Sequence, residues 1–331
     1  MRHVLVLLAA LLAPGCDSGT APAAGTLYVG RADGAVDRYG AGSDLATSVL
    51  PASDGPVTGL DATSGRVVAL VDGMEGRVVI LDADGSTNTV AVATPTALAV
   101  SDGVAYVTSR DSSALVPVYL AQRQAGPPIP VAQRPEGVAI VGQRAFVANT
   151  GDGFWRIVDV VSTPSLISLS RTDVPGGPRT VWVDAEGDVW VVSTGRVDAA
   201  GTVVEPSGVT VLDGLTGDVL AAFPTERLLG TGGLGRDGAV ARGAGEAFVL
   251  RDGDLLRFDT RANTATGIVP IGGPPITAVA YDAASDQLVL GRRDAPGATT
   301  GFVSLHTRDG AETGRLAAGT VPTALALTPI R

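Results

Sequence analysis

Short apolar runs of four to six residues recur along the whole chain, and breaks rich in Gly, Asp and Pro separate them. Runs of this length that are rich in Val, Ile and Leu are typical of β-strands. One word, aligned as small, aliphatic, small, returns seven times: Gly59-Leu60-Asp61, Ala97-Leu98-Ala99, Gly137-Val138-Ala139, Thr180-Val181-Trp182, Ala239-Val240-Ala241, Ala278-Val279-Ala280 and Ala324-Leu325-Ala326. The central residues of consecutive copies lie 38, 40, 43, 59, 39 and 46 positions apart. A period of about forty residues predicts a repeat architecture.

Each copy of this word is followed by further apolar runs. After the first copy come "RVVALV" (66–71), "RVVILD" (77–82) and the weaker "TVAVA" (89–93). The first two runs of a unit are almost continuously apolar, which predicts strands buried on both faces. The last run is more polar, as expected of an outer edge strand. Four antiparallel strands per repeat are typical of the blades of a β-propeller.

The two ends of the chain complement each other. No further strands follow the seventh copy before Arg331, while the N-terminal part offers three runs without a first strand, "TLYVG" (26–30), "AVDRY" (35–39) and "TSVL" (47–50). We therefore expect the C-terminal strand to complete the first blade and to close the ring without leaving an open edge. The sequence predicts an all-β, seven-bladed β-propeller that occupies residues 26–331.

A family resemblance supports this prediction. The stretch "IPVAQRPEGVAIVGQRAFVANTGDGFWRIVDV" (129–160) resembles the YVTN-type repeat propellers of bacterial surface and periplasmic proteins. The segments "GVAYVTSRDSSALVPVY" (103–119) and "GTLYVGRADGAVDRY" (25–39) are weaker copies of the same pattern. The resemblance implies the propeller fold and a location outside the cytoplasm.

The N-terminus has the pattern of an export signal. Arg2 and His3 precede the nine-residue apolar run Val4–Leu12, which is too short to span a bilayer. Cys16, the only cysteine, follows in "LLAPGC", which resembles the signal of bacterial lipoproteins. We predict a signal peptide at 1–15, and a lipidated Cys16 with a polar tether at 16–25. The alternative is an ordinary secretory signal with an unmodified cysteine. The lipid would anchor the exported protein to a membrane, facing the periplasm or the cell exterior.

The charge of the chain limits its partners. The net charge is -10, and acidic residues and arginines are interspersed along the sequence. Binding to nucleic acid needs a clustered positive surface, so no nucleic-acid partner is predicted. An envelope protein or a small-molecule ligand remains as the partner.

The candidate binding surface lies where the repeat is least regular. The gap of 59 residues before the fifth copy predicts insertions at 194–207 and 226–238. Insertions on a regular repeat usually map to a binding face. Around them we predict ligand contacts from seven side chains: Glu136, Asn149, Asp152, Trp155, Arg179, Arg196 and Asp198.

The same features also have a structural interpretation. The break "NTGDG" (149–153) is a turn in which polar side chains bond local backbone. Glu136 and Arg179, which follow corresponding prolines one repeat apart, are then an ion pair. Trp182 and Trp190 then fill a wide gap between blades.

Catalytic residues are scarce in this sequence. His3 belongs to the signal, so His306 is the single histidine of the mature chain, which excludes a His-rich metal site. Carboxylates alone could still bind a hard cation, but no cofactor is predicted. We therefore expect a binding or scaffold module of the cell envelope. The alternatives are a propeller hydrolase or lyase with carboxylates and a divalent cation at the channel mouth, and a non-catalytic subunit of an envelope redox complex.

Overall fold

The regular secondary structure of the described chain consists of β-strands. The computed structural model describes residues 25–40, 43–63, 65–151, 157–198, 202–225, 240–243, 245–251 and 253–329. Within them, strands form seven antiparallel sheets arranged as the blades of a ring, together with one added two-stranded hairpin. This confirms the predicted seven-bladed β-propeller.

The first blade combines both ends of the chain. It contains β1 (Gly25–Arg31), β2 (Val36–Tyr39), β3 (Ala46–Leu50) and the C-terminal β31 (Pro322–Pro329), in the order β3-β2-β1-β31. The last strand pairs antiparallel with β1, with Leu27 opposite Leu327. The predicted closure of the ring by the C-terminal strand is therefore confirmed.

In each of the other blades the strands follow one another from the channel outward. Their bounds are as follows: blade two, β4 (Val57–Thr63), β5 (Arg66–Val71), β6 (Arg77–Asp82) and β7 (Thr87–Ala91); blade three, β8 (Pro95–Ser101), β9 (Val104–Ser109), β10 (Ala114–Tyr119) and the divided outer strand β11 (Gln124–Ala125) and β12 (Ile129–Pro130); blade four, β13 (Pro135–Val141), β14 (Arg144–Asn149), β15 (Ile157–Ser162) and β16 (Ile167–Asp173); blade five, β17 (Pro178–Val183), β18 (Val189–Ser193), β21 (Ser207–Leu212) and β22 (Val219–Thr225), with the added hairpin β19 (Arg196–Val197) and β20 (Val203–Glu205); blade six, β23 (Val240–Gly243), β24 (Glu246–Arg251), β25 (Asp254–Asp259) and β26 (Thr264–Val269); blade seven, β27 (Ile276–Asp282), β28 (Gln287–Arg293), β29 (Thr300–Thr307) and β30 (Glu312–Thr320).

Burial differs between the strands of a blade, and one expectation needs correction. The second strands are buried on both faces as predicted, and so are the third strands; in β5 and β6, Ala69 and Ile80 are both fully buried. The innermost strands vary: most of β8 is only half-buried, whereas five of the seven residues are buried in both β13 and β27. Half-buried positions occur because one edge of each innermost strand lies at the central channel.

Apolar clusters join neighbouring blades. Leu27 and Val29 of blade one, for example, pack with Val289, Val303 and Leu305 of blade seven. Because such interdigitated seams hold the sheets face to face, each blade depends on its neighbours for burial. The seam between blades seven and one joins parts of the chain that are far apart in sequence.

A β-bulge occurs at the start of the innermost strand in each blade whose start is described. It leaves one extra residue, which we call the bulge residue, between the paired positions. The bulge residues of blades one to five and seven are Thr323, Thr58, Thr96, Glu136, Arg179 and Thr277.

Three bulge threonines hold neighbouring blades together. The hydroxyl of Thr96 donates to the carbonyl of Pro135 in the next blade at 2.7 Å. Thr277 donates to Pro322 at 2.5 Å, and Thr323 donates to Val57 at 2.6 Å. Each bond crosses from one innermost strand to the next, so it stabilises the spacing of the ring. We call these contacts the threonine clamps.

The propeller has two unlike faces. The turns between second and third strands, such as 110–113, share one face with the connections to the next blade, such as 131–134; we call it the connection face. The turns between first and second strands, such as 102–103, and between third and fourth strands, such as 83–86, form the hairpin face. The predicted ligand-contact residues that the structure describes, Glu136, Asn149, Arg179, Arg196 and Asp198, belong to the connection face.

Candidate functional site

Glu136 and Arg179 occupy equivalent places one blade apart. Both are bulge residues, where blades three, seven and one carry the clamping threonines. The equivalence expected from their positions after proline is thus present in the structure. Blades four and five place charged side chains where blades one, two, three and seven place a threonine hydroxyl.

The carboxylate of Glu136 is bound by a residue that the sequence did not single out. Arg110, at the end of the second strand of blade three, donates from Nε to Oε1 at 3.0 Å and from Nη2 to Oε2 at 3.3 Å. Two parallel bonds of this kind are the strongest arrangement for a guanidinium and a carboxylate. Glu136 is buried, with 8% of its surface exposed. Arg110 therefore neutralises most of the negative charge of Glu136 at the channel mouth.

Arg179 has an exposed side chain, and its backbone lies very close to blade four. A Cβ on Gly137 would stand 2.2 Å from the carbonyl oxygen of Arg179. Glycine at this position of the repeat word thus permits two innermost strands to approach each other. The side chain of Arg179 also interacts within the structure.

Asn149 is fully buried at the end of β14. Its amide donates to the carbonyl of Val147 at 2.8 Å, and lies 3.4 Å from the carboxylate of Asp159. Asp159, also fully buried, accepts from the backbone of Ala132 at 2.6 Å and from Arg171 at 2.7 Å. This network ties the third strand of blade four to the connection that precedes the blade. Asn149 therefore stabilises the connection face from within blade four.

The predicted insertion at 194–207 forms the hairpin β19–β20. The backbone amide of Asp198 donates to the carbonyl of Thr202 at 2.9 Å, and the Asp198 carboxylate accepts from the Thr202 amide at 2.8 Å. At its base, Arg196 lies 3.6 Å from the carboxylate of Glu205. A Cβ on Gly176 would meet the same carboxylate at 1.7 Å. The hairpin thus lies directly over the connection between blades four and five.

The second strand of this hairpin is partly apolar. Val203 and Val204 on β20 expose 43% and 42% of their surfaces, and Asp198, directly after β19, is exposed. Burial within the hairpin does not explain why apolar residues occupy these two exposed positions. The hairpin therefore combines two exposed valines on β20 with a base at which Arg196 lies beside Glu205.

Three of the predicted sites lie outside the described residues. They are Asp152 and Trp155 in the turn of blade four, and Cys16 in the N-terminal segment. The second predicted insertion, 226–238, lies outside them as well. Contact with a ligand stays a prediction for all seven candidate side chains.

Trp182 and Trp190 fill the seam between blades five and six. Their rings stack at 5.4 Å, and Trp190 packs edge-on against Phe258 of blade six at 5.6 Å. The indole of Trp190 donates to Asp184 at 2.7 Å, so its polar atom is satisfied. The structural interpretation of these two tryptophans is confirmed.

The channel contains a cavity of about 290 Å³ among the innermost strands of blades two to five. Its walls carry the central aliphatic residues of four repeat words, Leu60, Leu98, Val138 and Val181. Asp61 is the one charged residue among the described residues that line it. Most of its lining side chains are aliphatic, and Ser101 and Thr180 add hydroxyl groups beside the carboxylate of Asp61.

His306, the one histidine among the described residues, is in a buried network of blade seven. His306 Nδ1 lies 3.0 Å from the carbonyl of Gly310, and its Nε2 lies 2.9 Å from the Ser304 hydroxyl. Arg292 donates to Ser304 at 2.8 Å and to the carbonyl of Pro274 at 2.6 Å. All three network side chains are almost completely buried. The serine and histidine are therefore enclosed in the blade and cannot reach a substrate.

The described residues contain no group of three or more His, Cys, Asp or Glu side chains arranged to hold a metal ion. Nor do they include a helix with the length and apolar character needed to cross a membrane.

Comparison with known proteins supports the fold. No protein-family model matches the chain, and no curated protein matches its sequence. Among solved structures, the chain is similar to hydrazine synthase of Kuenenia stuttgartiensis, with a TM-score of 0.66 and 18% identity. The match covers 82% of this chain and 90% of that chain. A likeness at this level of identity shows the fold alone, so the comparison supports a β-propeller.

Proposed function

We propose that this protein is an exported, lipid-anchored propeller of the YVTN type that acts as a binding or scaffold module of the cell envelope. The observation that carries the proposal is the hairpin β19–β20, an addition to a regular repeat that lies over the connection face. Binding residues concentrate on exposed loops that a rigid scaffold positions. The seven packed blades are such a scaffold.

The surface around the hairpin suits a protein partner. It is a protrusion with the exposed valines Val203 and Val204, next to the exposed charged residues Asp198 and Arg179. Small-molecule sites are concave and enclose most of the ligand, whereas protein interfaces combine an apolar centre with a polar rim. We infer that an envelope protein binds here and covers the two valines.

The anchor gives this surface its place in the cell. A lipidated Cys16 and the tether 16–25 would hold the propeller close to the membrane, and each buried CH₂ of an acyl chain contributes about 0.8 kcal/mol of membrane binding. Cys16→Ser should shift the protein from the membrane fraction to the soluble fraction, or leave the signal uncut. Equal partition of the wild type and the variant would contradict the lipid anchor.

Site-directed photo-crosslinking in intact cells tests the partner surface. A photoreactive residue at position 198, on the hairpin, should give a discrete adduct with an envelope protein. The same residue at position 215, an exposed leucine on the hairpin face of blade five, is the matched control and should not. Shortening 196–204 should remove partner copurification while the melting temperature stays nearly unchanged. Equal adducts at both positions, or none at 198, would overturn the proposed surface.

The copurifying proteins and the metal content of the purified protein distinguish the other two functions. Copurification with a redox enzyme would identify the propeller as a non-catalytic subunit of that complex. A stoichiometric divalent cation in the purified protein would instead favour the hydrolase or lyase.

A further inference from the structure

A second cavity lies on the opposite side of the molecule from the proposed partner surface. It opens between blades one and two on the hairpin face and has a volume of about 630 Å³. Pockets for small organic ligands have volumes of about 300–1,000 Å³. Its apolar walls come from Tyr28 and Val49 of blade one and from Val67 and Leu81 of blade two. Nothing in the repeat pattern required a cavity at this seam.

The charged residue on the wall of blade one is out of place in the repeat. Arg38 lies on the third strand of blade one, directly opposite Tyr28 on the second. In five other blades the residue at this register position is apolar and buried: Ile80, Pro117, Val160, Val211 and Leu305. Each packs in a seam between blades. Arg38 therefore places a cation where the architecture normally places an apolar contact.

Blade six shows what an arginine at this position normally needs. There Arg257 stands opposite Phe248, with its guanidinium carbon 5.9 Å from the ring centre. The carboxylate of Glu246, two residues before Phe248, accepts two bonds from Arg257, the one from Nε at 3.0 Å. The arginine is thus neutralised within its own blade.

Blade one lacks that carboxylate. The residue two positions before Tyr28 is Thr26, which cannot neutralise a guanidinium. The side chain of Arg38 is exposed and makes no ion pair or hydrogen bond with another residue of the described chain. The cavity therefore contains an arginine beside an aromatic ring, with the place of its carboxylate taken by an uncharged residue.

The rest of the cavity limits the charge that it can accept. Asp82 is compensated, since Arg66 donates to it at 2.7 Å and Arg123 at 3.2 Å. The backbone amide of Ser86 donates to Asp84 and lowers the pKa of that carboxyl, which therefore stays ionised at the rim. A ligand with several negative charges would be repelled by Asp84. One negative group can be matched by Arg38.

We propose that this cavity binds a small organic monocarboxylate, whose carboxylate pairs with Arg38 and whose apolar body lies against Tyr28 and Val49. A planar guanidinium matches a carboxylate with two parallel hydrogen bonds. The ligand carboxylate takes the place that Glu246 has in blade six. The site is separate from the hairpin β19–β20 and does not depend on the partner proposed above.

Fluorine NMR of a small probe tests the proposal. The probe is 4-(trifluoromethyl)phenylacetate, added to the full-length chain with Cys16→Ser, which carries no acyl group. We expect saturable broadening of the probe signal, with a Kd of about 1 mM or below, the range of a weak small-ligand complex. Its neutral amide should bind at least about tenfold more weakly, because it loses the charge-assisted bonds. Inorganic phosphate should not displace the probe.

Three variants distinguish this site from non-specific binding. Arg38→Ala should weaken the probe at least about tenfold, while Arg257→Ala, the matched change in blade six, should leave the Kd unchanged. Thr26→Glu supplies the missing carboxylate beside Arg38, so it should abolish binding without lowering the melting temperature. Wild-type binding that survives both Arg38→Ala and Thr26→Glu would overturn the proposal. So would the absence of saturable broadening with the wild-type chain.

Discussion

The bulge residues divide the ring into two kinds of blade. In blades three, seven and one, Thr96, Thr277 and Thr323 donate a hydroxyl to a carbonyl of the next blade. In blades four and five the same place is taken by Glu136 and Arg179. One backbone geometry therefore serves two purposes, because a bulge can aim either a short clamp or a long charged side chain at the channel mouth.

The difference indicates which blades stabilise the ring and which blades present charged groups at its surface. A buried hydroxyl that donates to a carbonyl satisfies both groups and stabilises the seam. A carboxylate at the same place needs a cation, and Glu136 obtains Arg110 from the blade before it. The hairpin β19–β20 was added next to the charged blades. The clamped blades include the closing seam, where the two ends of the chain meet.

Removing the closing strand should have the largest effect. Deletion of residues 322–331 removes the whole of β31 with the clamp of Thr323, and leaves an unpaired edge on β1. Unpaired edges are templates for association. We expect loss of cooperative unfolding and aggregation, measured by circular dichroism and light scattering. Deletion of residues 330–331 alone is the control and should behave as the wild type. A shortened chain without β31 that melts at the wild-type temperature would contradict non-covalent closure.

The glycine of the repeat word should be less replaceable in the charged blade four than in blade two, whose bulge residue is Thr58. A Cβ on Gly137 would meet the backbone oxygen of Arg179 at 2.2 Å, whereas on Gly59 it would first meet a side-chain methyl of Leu98 at 3.3 Å. We expect Gly137→Ala to lower the free energy of unfolding by about 1–3 kcal/mol. Gly59→Ala should cost clearly less, because a leucine side chain can move. Denaturant unfolding of both variants measures the contrast, and equal losses would show that the approach of blades four and five is not special.

The clamps themselves can be removed one at a time. Thr96→Val keeps the shape but leaves the buried carbonyl of Pro135 without this donor, so it should cost about 1–3 kcal/mol. Glu136→Gln keeps the shape at the equivalent place and removes one charge. Its cost should be about 1 kcal/mol or less, since Arg110 is partly exposed and solvent screens the pair. Chemical denaturation of the two variants ranks the contacts. A larger loss for Glu136→Gln would reverse the division drawn here.

The smallest effect concerns pH at the seam between blades six and seven. Burial lowers the pKa of His306 below its ordinary value of 6.5; the charge of Arg292 acts in the same direction, and the Gly310 carbonyl and Glu312 oppose it. His306 therefore binds a proton near pH 6.5 in the unfolded chain, whereas in the folded chain it stays neutral until a lower pH. Stability should fall as the pH drops below about 6.5 and stop falling, for this group, below the folded pKa.

A substitution isolates this contribution from those of the carboxylates. His306→Gln removes the titrating group, so its stability should depend less on pH just below about 6.5 than that of the wild type. Urea unfolding at a series of pH values measures both slopes. Parallel slopes would mean that His306 does not titrate differently in the folded and unfolded chain.

The sequence by itself determined the architecture, because strand length, burial and turn residues repeat locally. Six of the seven words lie on the innermost strands, as do Val240 and Ala241 of the remaining word, and the completion of blade one by β31 followed from the balance of strands at the two ends. The insertion at 194–207 was predicted from the irregular spacing of the repeat, and the structure shows there the hairpin β19–β20. All of these depend on neighbours along the chain or on the count of units.

Contacts between blades were decided by the tertiary structure. Arg110 reaches Glu136 across 26 residues, and Thr323 reaches Val57 across 266. Asn149 lies in a turn motif, yet burial against Asp159 makes it part of the scaffold. The cavity beside Arg38 exists because blade one meets blade two in the ring. Such contacts depend on how the twisted sheets approach one another, and a pattern of apolar and polar positions does not contain that distance.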